Sequence, residues 1–257
     1  DWVVVACAVG QGDVIVLPVA PGQAVVVDAG PEPVATDQCL RGLGIRVVVM
    51  LVVSHFHADH VDGLPGVFKG RTVRAVLTPD WPEPAAGRDS VTAAAAMAGV
   101  PVHVARAGQR YTAGNLAIFV LGPARRLTNT RSDPNNNSLV LRTEIRGVRI
   151  LLPGDAEVTE QRTLLDASAE LRADVLKVPH HGSAYQEARF LDAADPAIAL
   201  VSVGVKNRFG HPNTTLLEQL RRRGTRVLRT DLCGDVAAVR EEGGGLAVVT
   251  RGIRPGG

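Results

Sequence analysis

Three histidines and one aspartate lie within six consecutive residues, directly after a strongly apolar stretch. They are His55, His57, Asp59 and His60, and the apolar stretch covers residues 47–53. Imidazole is a good ligand for zinc, manganese and iron, whereas carboxylate suits harder ions. A polar loop with solvated histidines is the plainer interpretation, but four possible ligands at this spacing favour a metal site. Two ions could be served, with His55 and His57 facing one and Asp59 and His60 reaching the other.

Further acidic residues and histidines follow other apolar stretches, namely Asp28, Asp155, His180, His181 and His211. In sheets with helical crossovers, ligands collect where strands end. We therefore expect Asp155 and His180 to join the first cluster, with Asp155 bridging two ions. Other interpretations stay open: Asp155 as a helix N-cap, one of His180 and His181 as a structural histidine, and His211 as a turn residue.

Short Val-rich runs alternate with Ala-rich stretches along the chain. The β-branched runs predict strands at 2–6, 14–17, 24–27, 47–53, 73–77, 102–105, 116–121, 138–143, 148–152, 175–178, 198–203, 226–228, 236–239 and 246–249. Helices are predicted at 34–43, 59–68, 89–98, 157–169, 187–193 and 214–223, the last with Asn213 as N-cap, and surface loops at 78–88 and 128–137. This order predicts an α/β protein with two sheets packed face to face and helices outside, as one domain over residues 1–257.

The composition limits the classes of protein that this chain can belong to. Its 257 residues are 46% hydrophobic, which is enough for a sizeable core, and a net charge of +2 gives no strong field for nucleic acid. The arginine clusters at 125–126 and 221–223 are interpreted as ordinary solvated surface. No apolar run approaches the ~20 residues that span a membrane.

Three cysteines, Cys7, Cys39 and Cys233, match no metal-binding spacing. One disulfide could form in an oxidising compartment, and the sequence leaves its pairing open. The chain begins at Asp1 without Met and enters an apolar strand at once. We therefore expect it to be part of a longer protein.

The motifs together resemble those of the metallo-β-lactamase superfamily. The match runs in family order through Asp28 in Val-Asp-Ala-Gly, the His-x-His-x-Asp-His element at 55–60, Asp155 in Pro-Gly-Asp and His180 in Pro-His-His-Gly-Ser. The resemblance implies a four-layer αββα sandwich with the site on the shared edge of its two sheets.

Finer motifs are similar to the C-terminal domain of ComEC-type DNA-uptake channel proteins of naturally transformable bacteria. They lie at 9–13, 135–141, 176–183 and 209–212, and the similarity extends from Gln11 to about Asp231. This branch implies a domain on the extracellular face of the cell membrane, attached to the membrane channel portion of the same parent protein. The implied substrate is single-stranded DNA, degraded while the other strand enters, and no small-molecule cofactor is expected.

The resemblance also implies two divalent ions, Mn²⁺ or Zn²⁺, held by imidazole and carboxylate groups. The expected ligands are His55, His57 and Asp155 for one ion, and Asp59, His60, Asp155 and His180 for the other. Asp28 is expected to support a ligand histidine from outside the coordination sphere.

The expected catalytic residues are Asp59 together with His181 or His211. Either histidine would protonate the departing sugar oxygen, because imidazole titrates near neutral pH. Asn137 and Ser183 are expected to donate hydrogen bonds to the phosphate group of the substrate.

One departure from the family pattern concerns the third motif, which is usually a histidine at the start of a strand. The corresponding stretch here is Asn135, Asn136 and Asn137. An amide oxygen is a poorer zinc ligand than imidazole, so one ion is expected to bind weakly or to be manganese. Two other functions stay open: a phosphodiesterase or other hydrolase of cell-wall or small-molecule esters, and a degenerate domain that only binds DNA.

Overall fold

Two β-sheets form the centre of the computed structural model, which describes residues 1–252. Their strands are β1 (Trp2–Ala6), β2 (Ile15–Ala20), β3 (Gln23–Val27), β4 (Val47–Val52), β5 (Thr72–Val73), β6 (Val76–Thr78), β7 (Val102–Val104), β8 (Arg110–Ala113), β9 (Leu116–Gly122), β10 (Val140–Ile145), β11 (Val148–Leu152), β12 (Val175–Lys177), β13 (Ile198–Val201), β14 (Arg226–Arg229), β15 (Asp235–Arg240) and β16 (Leu246–Arg251). Residues 253–257 of the predicted domain lie outside the described residues.

The helices connect these strands and cover the sheets. They are α1 (Pro33–Gly42), α2 (Ala58–Val61), α3 (Leu64–Phe68), α4 (Ala85–Met97), α5 (Asp133–Asn136), α6 (Val158–Asp166), α7 (Ala188–Ala194), α8 (Thr214–Arg222) and α9 (Thr230–Cys233), with a 3-10 turn at Pro179–Gly182. Asn213 caps α8 as predicted, since its Oδ1 accepts a hydrogen bond of 3.1 Å from the backbone N–H of Leu216.

Each sheet combines antiparallel strands with a parallel stretch. The first sheet has the order β16-β15-β1-β2-β3-β4-β6-β7, with the short β5 beside β4, and the second has the order β14-β13-β12-β11-β10-β9-β8. The parallel neighbours are β3, β4, β6 and β7 in the first sheet and β11 to β14 in the second. Parallel strands deliver their carboxyl ends to one edge of a sheet, which positions the residues that follow them.

Three apolar layers hold the fold together. Leu17, Leu141 and Ile150 belong to the layer between the two sheets. A second layer packs α1 to α4 on the outer face of the first sheet, and a third packs α6, α7 and α8 on the outer face of the second. Strand β4 reads Val-Val-Val-Met-Leu-Val because both of its faces are covered. The predicted four-layer αββα sandwich is confirmed.

Most differences from the predicted elements have a local cause. The predicted helix at 59–68 is two helices, because the backbone N–H of Gly63 donates to the carbonyl oxygen of Gly30 at 2.7 Å and the carbonyl oxygen of His60 accepts from Ala29 at 2.7 Å. Pro65 then occupies the first turn of α3. Strand β8 was missed because its sequence is short and polar, the run at 73–77 contains two strands, and the predicted loop at 128–137 contains α5.

The cysteine pairing that the sequence left open is Cys7 with Cys39, whose Cα atoms are 6.0 Å apart. Cys233 is a free thiol. The disulfide ties the segment after β1 to α1.

Within residues 1–252, none of the helices combines the length and the apolar character that crossing a bilayer requires.

The Glu160 carboxyl group is buried in α6 without a hydrogen-bond partner for either oxygen among residues 1–252. Burial raises its pKa from 4.5 to about 8, and the charge of Arg125 offsets only part of this effect. The unfolded chain ionises near pH 4.5 whereas the folded chain keeps the proton until about pH 8. Folding stability is therefore unaffected below pH 4.5 and falls as the pH rises between these two values.

We expect Glu160→Gln to become progressively more stable than the wild type as the pH rises from 5 to 8. The expected change in relative free energy of unfolding is roughly 3–5 kcal/mol, at about 1.4 kcal/mol per unit of pKa. Urea unfolding at several pH values measures it, with exposed Glu218→Gln as the control. A stability difference that does not change with pH would contradict the buried-acid explanation.

Candidate metal centre

Polar side chains converge where strands of both sheets end. Each follows a different strand and is only 1% exposed: Asp28 after β3, His55 after β4, Asp155 after β11 and His181 after β12. The two sheets are joined at this edge by a hydrogen bond of 2.9 Å from the backbone N–H of Leu139 to the carbonyl oxygen of Ser54. The polar residues that follow the parallel strands of the two sheets are thereby brought into one buried cluster.

Four side chains, which we call the inner set, present ligand atoms at the spacing expected around one ion: Asp59, His60, Asp155 and His181. Asp155 Oδ2 lies 3.3 Å from His60 Nε2 and 3.4 Å from His181 Nε2. Asp59 Oδ2 lies 3.7 and 3.1 Å from the same two nitrogens. Ligand atoms around tetrahedral zinc are about 3.4 Å apart, because each lies ~2.0–2.1 Å from the metal. The inner set therefore fits a divalent ion.

The imidazoles of the inner set are held with one nitrogen available to a metal. His60 Nδ1 donates to Asp28 Oδ2 at 2.8 Å, and His181 Nδ1 donates to the carbonyl oxygen of Ser202 at 3.0 Å. Ser54 fixes Asp28 in turn, since its backbone N–H and its hydroxyl each donate to that carboxylate at 2.7 Å. Such bonds fix the orientation of each ring and leave Nε2 as the atom that would bind a metal in place of a proton. His60 Nε2 is buried without a hydrogen-bond partner among the described residues.

A second group, which we call the outer set, consists of His55, His57, Asp155 and His180. His55 Nε2 lies 2.9 Å from His57 Nδ1. Asp155 Oδ2 lies 4.0 Å from His55 Nε2 and 3.8 Å from His180 Nε2. The His180 side chain is 20% exposed. Asp155 Oδ2 lies farther from the imidazoles of the outer set than from those of the inner set, and both sets share this carboxylate oxygen.

His180 and His181 occupy the left-handed region of backbone conformation, with φ of 46° and 52°. This conformation costs about 1–2 kcal/mol per residue for side chains other than glycine. It separates the two rings, whose planes stand at 70° to each other. Glu157 Oε1 lies 3.1 Å from His180 Nδ1, and Asn135 Nδ2 lies 3.4 Å from the same nitrogen. These partners orient His180 towards the outer set.

A buried lysine, Lys177, balances the acidic groups of the centre. Its ammonium forms an ion pair with Asp13 and lies 3.4 Å from Asp155 Oδ1. It also donates to the carbonyl oxygen of Gly154 at 3.0 Å. Asp13 Oδ1 lies 3.5 Å from His181 Nδ1. The two oxygens of Asp155 are thus divided, with Oδ1 facing the ammonium and Oδ2 facing the imidazoles.

The charges of the centre perturb one another strongly. Burial by itself would raise the pKa of Asp155, but His181, His60 and Lys177 hold it well below its usual range. Burial by itself would lower the pKa of His60, but Asp155 and Asp28 raise it well above its usual value. The same balance keeps the pKa of Asp13 low, because Lys177 and His181 outweigh its burial.

Two glycines allow the turn after β11 and the loop after β1 to approach the segment that carries the candidate ligands. Gly154 has φ of 54°, and a Cβ there would lie 3.0 Å from the Cβ of Ser54. Gly12 has φ of 155°, and a Cβ there would lie 2.2 Å from the carbonyl oxygen of Asp59. Any other residue would push the first loop or the turn after β11 away from the ligands.

Two further predicted site residues, His211 and Ser183, differ in their position relative to the centre. His211 lies beside the centre, with its ring centroid 5.2 Å from that of His180 and with Nδ1 lacking a partner within residues 1–252. Ser183 is fully buried, and its hydroxyl accepts a hydrogen bond from the backbone N–H of Tyr185 at 3.2 Å. That contact supports the turn and gives no indication of phosphate binding.

Asn136 and Asn137 close a loop, whereas Asn135 lies beside His180, and its buried Oδ1 has no hydrogen-bond partner among residues 1–252. Asn137 Oδ1 accepts from the backbone N–H of Leu127 at 2.9 Å, and its Nδ2 donates to the carbonyl oxygens of Leu127 and Asp133 at 2.7 Å each. Both amide hydrogens are therefore used, so the expectation that Asn137 donates to phosphate has no support in this geometry. Asn136 Oδ1 caps the backbone N–H of Glu160 at 3.1 Å.

A cavity of about 510 Å³ lies next to the centre but is lined by neither ligand set. Gln11, Cys39, Gly204, Lys206 and Asp235 are among its lining residues. Among the lining residues, Gln11 Oε1 accepts a hydrogen bond of 3.1 Å from the backbone N–H of Gly204.

Several participants in the centre were absent from the residues expected from the sequence, among them Asp13, Lys177 and Glu157. Lys177 had a signal, because a lysine inside an apolar strand is rarely buried unless it is paired. Asp13 belongs to a motif that was noted without a role. Glu157 had no signal of its own, since its position beside His180 follows from how the chain leaves β11.

The family of this chain follows from its fold, its site and its sequence together. The model of the metallo-beta-lactamase superfamily matches residues 8–205. This chain belongs to the metallo-β-lactamase superfamily. The site is accordingly that of a metal-dependent hydrolase.

Two relatives in sequence point to one group of proteins within this superfamily. ComE operon protein 3 from Bacillus subtilis is 31% identical over 198 residues, which cover 77% of this chain and 25% of that protein. Competence protein ComA from Neisseria gonorrhoeae is 29% identical over 197 residues, which cover 76% of this chain and 26% of that protein. These are ComEC-family competence proteins, so the finer resemblance is confirmed. The chain spans about a quarter of the length of these relatives.

Solved structures agree with the fold. The metallo-beta-lactamase fold protein YhfI from Bacillus subtilis has a TM-score of 0.55 and 12% sequence identity to this chain. The match covers 88% of this chain and 95% of that one. At this level of identity the likeness establishes the architecture alone.

We expect Lys177→Met to lower the free energy of unfolding by about 3–5 kcal/mol, because it leaves Asp13 and Asp155 buried without their shared cation. Urea unfolding in a chelating buffer measures the loss, and adding Asp13→Asn should restore part of it. The matched control is Lys69→Met, whose 69% exposed side chain pairs with Asp37 at 3.3 Å and should cost less than about 1 kcal/mol. Equal losses in the two lysine variants would contradict the buried network.

Proposed function

We propose that this chain is a metal-dependent nuclease that cleaves phosphodiester bonds of single-stranded DNA during DNA uptake in natural transformation. The observation that carries the proposal is that Asp155 Oδ2 faces both ligand sets at once, at 3.3 Å from His60 Nε2 and 4.0 Å from His55 Nε2. A carboxylate shared between two ions is characteristic of enzymes that hydrolyse phosphoesters with paired metals. The competence-protein relatives support DNA as the substrate.

We assign the two ions to the two sets. The inner set of Asp59, His60, Asp155 and His181 would hold one tightly, and the outer set of His55, His57, Asp155 and His180 would hold the other more weakly. His181 thereby takes the place expected for His180 beside Asp59 and His60, because the His181 ring is buried and its Nε2 lies 3.1 Å from Asp59 Oδ2. His180 would then supply the imidazole that the asparagine run lacks.

The bound ions, Zn²⁺ or Mn²⁺, would supply a nucleophile at neutral pH and polarise the phosphoryl oxygens. The chain's own residues would orient the reacting groups. Asp28 and Ser202 hold His60 and His181 by their Nδ1 atoms, so both rings keep their direction during turnover. Lys177 keeps Asp155 ionised and turned so that Oδ2 faces the centre.

His211 would contact the departing sugar oxygen. Burial, reinforced by His180 and His181, lowers the pKa of His211 to about 4, so its imidazole is neutral at pH 7. Its contribution would therefore be the N–H of a neutral ring that donates a hydrogen bond as negative charge develops on the sugar oxygen, and solvent water would supply the proton that this oxygen takes up. Its unpartnered Nδ1 is consistent with this role.

The Cys7–Cys39 disulfide supports an exported location, because disulfides persist in oxidising compartments. We propose that residues 1–257 form one domain of a longer membrane protein, on the extracellular face of the cell membrane. Its partner would be the channel portion of the same chain. Cleavage at this position would remove one strand while the other passes inward.

Divalent-dependent cleavage of labelled single-stranded DNA tests the proposal. We expect cleavage with Mn²⁺ or Zn²⁺, none with chelator, and loss of activity to the chelator level in the His57→Ala, Asp59→Ala double variant. The matched control is His103→Ala, Asp89→Ala, which removes the same residue types from exposed positions. Retained cleavage in the first double variant would refute the scheme, and faster turnover of a small chromogenic phosphodiester than of DNA would favour the alternative substrate.

The metal assignment has a separate test. We expect calorimetric titration of the metal-free protein to show two binding events, and Glu157→Gln to weaken the lower-affinity event about 10- to 100-fold through its contact with His180. The higher-affinity event should be unchanged, and exposed Glu218→Gln should alter neither. If Glu157→Gln weakened the tighter event instead, His180 would belong to the inner set.

A further inference from the structure

Phe209 exposes a large aromatic surface next to the metal centre. Its side chain is 72% exposed, whereas Phe56 and Phe190 are buried in the apolar layers. An exposed aromatic beside a candidate active site is typical of a surface that binds a flat apolar ligand.

The segment that carries Phe209 is held in one shape. Asn207 Oδ1 accepts a hydrogen bond of 3.1 Å from the backbone N–H of His211. Asn207 Nδ2 donates to the carbonyl oxygens of His211 and Gly204, at 2.8 and 3.2 Å. These bonds close residues 204–211 into a ring, which we call the aromatic loop. Phe209 is thus presented at a defined place, at a reduced entropic cost of binding.

A series of rings connects Phe209 to the candidate ligands. The Phe209 and His211 rings are stacked, with centroids 5.9 Å apart and planes at 30°. The His211 centroid lies 5.2 Å from that of His180, whose Nε2 is 3.8 Å from Asp155 Oδ2. A polymer with one phosphate at the centre would therefore bring a neighbouring unit over Phe209.

The aromatic loop also carries two exposed cations, Lys206 and Arg208. Among residues 1–252, no carboxylate oxygen lies within the 4.0 Å of an ion pair from either of them. An exposed aromatic ring between two unneutralised cations matches a chain whose flat apolar groups alternate with phosphates. Basic grooves with aromatic stacking platforms are the usual means of binding single-stranded nucleic acid.

A second aromatic and cationic pair, Tyr185 and Arg131, is linked to His180 by contacts with Glu157. The Arg131 guanidinium lies 3.2 Å from the centroid of the Tyr185 ring, and Tyr185 is 46% exposed. Arg131 Nε is 3.9 Å from Glu157 Oε2, and Glu157 Oε1 is 3.1 Å from His180 Nδ1. Planar cation–aromatic pairs present a further face for stacking.

We propose that the aromatic loop is a base-binding subsite in which Phe209 stacks on an unpaired nucleobase next to the scissile phosphate, while Lys206 and Arg208 contact the flanking phosphates. The Tyr185–Arg131 pair receives a second base. The inference rests on the proposed function for its substrate class and adds where the strand is held. It gives the centre a preference for single strands, because the faces of paired bases in a duplex are already covered by their neighbours.

Binding to two matched probes in a chelating buffer tests the subsite without turnover. The probes are a fluorescent oligothymidylate and an abasic oligonucleotide of the same length, which keeps the phosphates and lacks the bases. We expect Phe209→Ala to weaken oligothymidylate binding about tenfold, which corresponds to the ~1–3 kcal/mol of one stacked base. Abasic binding should not change, and Phe209→Trp should keep the affinity for both probes.

Two controls separate stacking from charge and from general surface effects. Met97→Ala removes another apolar side chain, 90% exposed at the end of α4, and should leave both affinities unchanged. Lys206→Ala with Arg208→Ala should weaken both probes alike and reduce the salt dependence of binding, since released counterions report phosphate contacts.

The outcomes distinguish this inference from the proposed function. Base-dependent binding that requires Phe209, in a protein without divalent-dependent cleavage, would support the subsite and refute the nuclease. Divalent-dependent cleavage together with equal affinities of the wild type and Phe209→Ala for oligothymidylate would refute the subsite and leave the nuclease standing. An equal loss of both probes in Phe209→Ala would also refute stacking.

Discussion

The carboxylate of Asp155 divides its two oxygens between opposite kinds of partner, and the remaining centre is arranged around that division. Oδ1 faces the Lys177 ammonium, and Oδ2 faces the imidazoles of both ligand sets. A buried carboxylate without compensation would cost several kcal/mol. The lysine and the histidines provide that compensation, so Asp155 stays ionised at the edge of the sheets, where its carboxylate would bind metal ions.

The two-sheet fold supplies this arrangement because parallel strands from both sheets end at the same edge. Asp28 and His55 arrive from the first sheet, and Asp155 and His181 arrive from the second. The close approach requires glycine at Gly154 and left-handed backbone at residues 28, 180 and 181. The conformational cost of these residues is offset by the apolar layers that hold the sheets together, and strain of this kind is common at functional sites.

Much of the fold was predictable because the central strands, such as β1, β3 and β4, are largely buried and therefore read as continuous apolar runs. Predictions failed where tertiary contacts override local pattern: the hydrogen bond from Gly63 to Gly30 splits one helix, and the polar β8 forms only because β9 is beside it. In the centre, the ligand types at 55–60 were predictable from one short segment. Lys177 and Asp13 were not placed, because their ion pair joins distant parts of the chain.

The sequence by itself determined which residues can bind metal, because imidazole and carboxylate groups are recognisable by type and by their positions after apolar strands. It also determined that the third-motif histidine is missing. Only the tertiary structure decided which of His180 and His181 belongs to the inner set, because two consecutive residues with left-handed backbone turn the adjacent rings to different partners. It likewise decided that Asn137 is used internally, since the hydrogen bonds of an amide depend on the backbone that folds around it.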